Sequence, residues 1–138
     1  MIRAVLDTNL LVSALISPAG NEALILLAVR QGLVKASFSE EILQEYAEVL
    51  ARPKFAFPAD EIEALIALLR TQGEEVYDPE PLGSRLPDPG DEKFLACAKA
   101  AGVDFIVTGN KRHFPPRACG AIRVVNAAGL LDRITLEM

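Results

Sequence analysis

The chain predicts an α/β fold: a single three-layer α/β/α domain over residues 1–138, with a central, mostly parallel sheet of four to five strands. Three observations predict it. Short apolar runs alternate with amphipathic stretches of helical period along the whole chain, and 138 residues is the size of one domain. A hydrophobic fraction of 51% with 24% charged residues is enough to fill one core.

Ile2–Leu6 reads as a short buried strand ending at Asp7, and residues 10–16 as a helical turn or two closed by Ser17, Pro18 and Gly20. Asn21 is expected to cap an apolar helix over residues 21–31 that Gly32 stops, with a second strand at residues 33–37. Over residues 39–51, Ile42, Tyr46, Val49 and Leu50 make the stripe of an amphipathic helix, ended by Pro53. Residues 58–72 form another, stopped by Gly73. Residues 73–91 hold four of the nine prolines and six acidic residues against one basic, Arg85, and read as a long loop around an edge strand at residues 75–77. Residues 88–101 are helical up to Gly102. Residues 105–108 and 122–125 are strands, and a last helix covers residues 126–131.

Fourteen Lys and Arg against nineteen Asp and Glu leave a net charge of −5, the wrong sign for a protein that coats nucleic acid through bulk charge. The longest uninterrupted apolar run, residues 23–29, is far short of a bilayer span, so the expectation is a cytoplasmic protein with no membrane contact. Cys97 and Cys119 match no disulfide framework and no zinc spacing, and Cys97 reads as a buried thiol.

In a parallel sheet, ligands sit beyond the carboxyl ends of the strands. Asp7 follows a strand and passes that criterion; Asp104 precedes one and lies roughly 13 Å from that rim. Asp7 can cap the next helix or hold a hard cation such as Mg²⁺ or Mn²⁺, and the residues alone leave both open. In LPDPGDEKFLACA, Asp88 and Asp91 fit an N-cap and its third helical position. Two carboxylates at a rim-facing helix start also repel unless a cation lies between them, which favours metal. On the helix over residues 39–51, Glu41 and Glu48 point away from the core and Glu40 suits the helix dipole. Glu45 sits mid-helix at the edge of the apolar stripe and needs another reason. Lys111 and Arg112, like Arg52 and Lys54, could reach substrate phosphates or simply be solvated. With no Trp and two Tyr there is no platform for stacking bases.

The segments VLDTNLLVSAL, EEILQEYAEVLARPKF and LPDPGDEKFLACAKAAGVDFIVTGNKRHF, in this order and spacing, resemble the PIN-domain nucleases, in particular the toxins of toxin–antitoxin pairs. The resemblance covers nearly the whole chain and implies a PIN-like fold. It implies a divalent-metal site, with Mg²⁺ or Mn²⁺ held by catalytic Asp7, Glu45, Asp88 and Asp91, and Asn9 orienting Asp7 from behind. The implied reaction is hydrolysis of an RNA phosphodiester by a metal-activated water, with Thr108, Asn110, Lys111 and Arg112 supporting the site or the substrate. An antitoxin protein and a homodimer or higher oligomer are the implied partners. One departure matters: many PIN domains carry a further acidic residue after the fourth strand, where TGNKRHF has Asn110, so the metals receive one charge less. His113, the sole histidine, reads as structural.

Asn110 also motivates an alternative, a PIN fold whose chemistry has lapsed and which acts as a module binding RNA or protein. A phosphotransfer enzyme with Asp7 as nucleophile is weaker, since haloacid-dehalogenase-like sites want DxDx[TV] and Asn9 and Leu11 stand in the second and third places. The four implied ligands carry four of the five excess negative charges, so the rest of the chain is close to neutral.

Overall fold

Strand β1 (Ile2–Leu6) consists of apolar residues apart from Arg3, and all but Arg3 are buried, as suits the middle of a parallel sheet. The computed structural model describes residues 1–83 and 86–137. After β1 come α1 (Thr8–Ile16) and α2 (Asn21–Arg30), then β2 (Val34–Phe38) and α3 (Glu40–Leu50). Ser39 caps α3, its hydroxyl accepting from the Ile42 N–H at 3.3 Å. A 3₁₀ turn at Pro53–Phe55 leads into α4 (Ala59–Gln72) and the edge strand β3 (Glu74–Glu75). The second half contains a 3₁₀ turn at Pro89–Asp91, α5 (Glu92–Ala101), β4 (Phe105–Val107), a 3₁₀ turn at Lys111–His113, α6 (Pro116–Cys119), β5 (Arg123–Val125) and α7 (Ala127–Glu137).

The sheet has five strands in the order β3-β2-β1-β4-β5, and every neighbouring pair is parallel. It is flanked by helices in a three-layer α/β/α arrangement, with α5 packed on β1, β2 and β4 and α2 packed on β2. From β1 the chain winds outward to β2 and β3, then crosses back to lay β4 on the other side of β1. Ala4 pairs with Ala36 on one flank and Phe105 on the other. The winding direction therefore reverses between β1 and β4, and the crevice beyond their carboxyl ends is the place where such folds bind ligands.

Several boundaries differ from expectation. Gly20, not Asn21, is the residue preceding α2, and no side chain caps that helix. The edge strand lies one residue earlier than expected and is shorter, although Val76 N–H still donates to Phe38 O at 2.7 Å. The last helix runs on to Glu137 because Ile134 continues the buried stripe of Leu130. The expectation for Arg85 lies outside the described residues.

Two glycines are required by geometry. A Cβ on Gly73 would lie 2.4 Å from Ala36 O and 2.5 Å from Leu69 O, so only glycine lets α4 pass directly into β3. Gly102 ends α5 in the left-handed region at φ 65°. Asp104 lies at the far end of β4 from the crevice and accepts from the Arg3 N–H at 3.1 Å. Cys97 and Cys119 are both free and buried, and burial pushes the Cys97 thiol up to about 12. Among the described residues no single helix is long and apolar enough to cross a membrane.

Candidate functional site

Asp7 stands at the mouth of the crevice because β1 ends there: its N–H still bonds Val107 O at 2.9 Å, and α1 begins at the next residue. Asp7 precedes α1 in extended conformation but makes no capping hydrogen bond with its side chain. Its Oδ2 instead accepts from the Thr108 hydroxyl at 2.7 Å, across the gap between β1 and β4. Capping therefore does not account for this carboxylate. Burial raises its pKa, the Thr108 hydrogen bond opposes that rise, and the charge of Glu45 adds to it.

Glu45 projects from α3 toward the same crevice. One of its oxygens accepts from the Thr8 hydroxyl, and Oε1 lies 2.8 Å from the Lys93 ammonium. Beside it, the Tyr46 hydroxyl donates to Leu6 O and pins α3 to the last residue of β1. This tether explains why a helix 40 residues along the chain delivers its acid to the end of β1.

Asp88 and Asp91 separate in role. Asp88 is exposed and caps the following turn, its Oδ1 accepting from the Gly90 N–H at 2.8 Å. Asp91 is buried, with 9% exposure, and among the described residues its Oδ2 has no hydrogen-bond partner. His113 Nδ1 is 2.9 Å from that oxygen, but no hydrogen bond forms between them, so Oδ2 stays unsatisfied among the described residues. Burial, then the charge of Asp7, push the Asp91 carboxyl up to about 6; His113 opposes this, while Asp88 and Glu45 add to it.

Asn110 is committed to its own loop. Its Oδ1 accepts from the Arg112 N–H at 3.3 Å, which fixes the amide orientation, and its Nδ2 lies 3.0 Å from His113 Nε2. Its N–H donates to the Thr108 hydroxyl at 3.1 Å, so β4 and the following turn support Asp7 as a unit. Asn9, Lys111 and Arg112 are exposed around this rim.

Asp7, Glu45 and Asp91 thus converge from three elements and lie within one another's electrostatic influence. Among the described residues no three His, Cys, Asp or Glu side chains stand ready-made as a metal site. The donor chemistry nevertheless suits a hard cation: carboxylate oxygens, one of them buried and orphaned. Sequence reasoning missed Thr8 and Lys93, which hold Glu45, and left the role of His113 beside Asp91 unseen. Lys93 had one signal: a cation in the first turn of a helix opposes the dipole.

The family model for the PIN domain matches residues 3–112. Among solved structures, the chain is similar to VapBC2 from Rickettsia felis, determined bound to a DNA fragment from their promoter, at 13% identity and a TM-score of 0.59. That alignment covers 91% of this chain and 98% of the other, a likeness of fold. A comparison with curated proteins finds no match. With the family model spanning most of its length, including β1, α3, α5 and β4, the chain belongs to the PIN-domain family.

Proposed function

We propose that the chain is a divalent-metal-dependent endoribonuclease that hydrolyses RNA phosphodiester bonds and serves as the toxin of a toxin–antitoxin pair. The observation that carries the reading is Asp91, a buried carboxylate with an oxygen that no donor among the described residues hydrogen-bonds, exposed to the charges of Asp7 and Glu45. Such a group is unfavourable unless a cation takes it. Asp7, Asp91 and Glu45 would hold Mg²⁺ or Mn²⁺, with Asp88 at the margin. The bound ion supplies Lewis acidity toward a phosphodiester and lowers the pKa of water.

The chain's own residues do the positioning. The Thr108 hydroxyl fixes Asp7, Thr8 fixes Glu45, and the exposed Lys111 and Arg112 at the rim offer cations to the phosphates of an RNA backbone. An antitoxin protein as partner and a homodimer or higher oligomer belong to the same proposal, and the fold likeness to VapBC2 fits the first of these.

The test is incubation of the purified protein with single-stranded RNA and Mn²⁺ or Mg²⁺ beside Asp7→Asn and Asp91→Asn. Cleavage by the wild type and its loss in both variants is expected. A wild type that cuts no better than the variants refutes the enzyme. It then favours the second reading, an RNA- or protein-binding module, which the internal commitment of Asn110 supports.

A further inference from the structure

The first turn of α5 carries a charge that local physics disfavours. Lys93 is the second residue of that helix, where the dipole and the free N–H groups oppose an ammonium. Its surroundings account for it. Nζ lies 2.8 Å from Glu45 Oε1 and donates to Gly90 O at 2.7 Å, its side chain is 15% exposed, and the Phe94 ring centre is 5.6 Å away. The other Glu45 oxygen takes the Thr8 hydroxyl. Both oxygens of Glu45 are therefore occupied by the chain itself, whereas Asp91 Oδ2 accepts no hydrogen bond from the described residues. The acids of the crevice are not equivalent: Glu45 is hydrogen-bonded and ion-paired by the chain itself, whereas Asp91 Oδ2 has the His113 ring beside it at 2.9 Å but no hydrogen bond among the described residues.

We propose that Lys93 is an internal counter-cation that occupies the Glu45 carboxylate in the metal-free chain and must be displaced before a divalent ion can recruit Glu45. The inference rests on the metal reading proposed above. Asp7 and Asp91 form the resident half of the site, and Glu45 is its exchangeable part. Lys93 sets how much divalent ion the protein needs, so it tunes metal affinity without touching the ion.

The experiment is calorimetric titration of Mn²⁺ into the full chain as wild type, Lys93→Met, Lys93→Gln, Lys93→Arg, Glu45→Gln and the Glu45→Gln/Lys93→Met double variant, with folding checked by circular dichroism. Lys93→Met and Lys93→Gln are expected to bind Mn²⁺ about tenfold more tightly, the scale of one partly buried charge pair, and to melt lower without metal. Lys93→Arg is expected to stay close to wild type. In the Glu45→Gln background, adding Lys93→Met should change the affinity by less than about twofold, because the displaced partner is gone. Unchanged or weaker Mn²⁺ binding in both neutral variants overturns the proposal, as does an undiminished gain in the Glu45→Gln background, which assigns the effect to the distant field of Lys93. If the wild type takes up no Mn²⁺, the metal reading falls and this inference with it. If the wild type binds and only the Lys93 results fail, the metal reading stands.

Discussion

Replacing Asp91 by Asn should stabilise the metal-free protein. In the folded chain its carboxyl titrates at about 6 instead of 3.8, so the native state holds the proton more tightly than the unfolded state does. The contribution of the protonated group is fully present below the unfolded pKa and is lost as pH rises through 6. Above that pH the wild type carries a buried charge worth about 2–3 kcal/mol of destabilisation. Asn keeps the shape and one carbonyl oxygen without the charge. In EDTA at pH 8, Asp91→Asn is expected to melt roughly 6–10 °C above the wild type, with the gap closing as pH falls to 4. Thermal unfolding followed by circular dichroism across that range measures both quantities. A variant that melts at or below the wild-type temperature at pH 8, or a gap independent of pH, refutes the argument that burial and neighbouring acids strain this carboxylate.

Mn²⁺ should close that gap at about a hundredfold excess over Kd, where the wild type gains about 2.7 kcal/mol, and reverse it at about a thousandfold, where it gains about 4.1 kcal/mol, while Asp91→Asn gains little; a thermal-shift titration shows it. Gly73→Ala should destabilise the fold by about 1–3 kcal/mol in urea unfolding, because the added methyl meets the carbonyl oxygens of Ala36 and Leu69, and an unchanged midpoint would mean that α4 and β3 yield freely.

The strand and helix alternation was legible because short apolar runs such as β1 stand apart from longer stretches of helical period, of which α3, burying Ile42, Leu43, Tyr46 and Leu50, is the cleanest. Element ends were less so. β3 is a strand only because β2 lies beside it, and α7 runs on because Ile134 finds the core, facts that local pattern does not contain. In the site, Asp7 stood out as an acid after a buried strand and Glu45 as an acid against an apolar stripe. Asp88 and Asp91 were ambiguous, since the same spacing serves capping and ligation; the structure gives Asp88 a cap and buries Asp91 with no hydrogen bond to its Oδ2 among the described residues. The partners of these acids were not legible. Thr8 with Glu45, Lys93 with Glu45 and Thr108 with Asp7 are joined only by the way the helices and strands cross.

The hydrogen bond from Thr108 to Asp7 spans 101 residues, and β1 finds its partner β4 only after the intervening helices have been made. Closing a loop of that length against a parallel neighbour is a slow, entropically unfavourable step that local structure cannot hasten. A chain emerging from the ribosome displays α1, α2 and α3 long before it can hold Asp7 in its working rotamer. The crevice therefore cannot be completed until residue 108 has been made, so Asp7 waits for most of the chain before its hydroxyl partner exists.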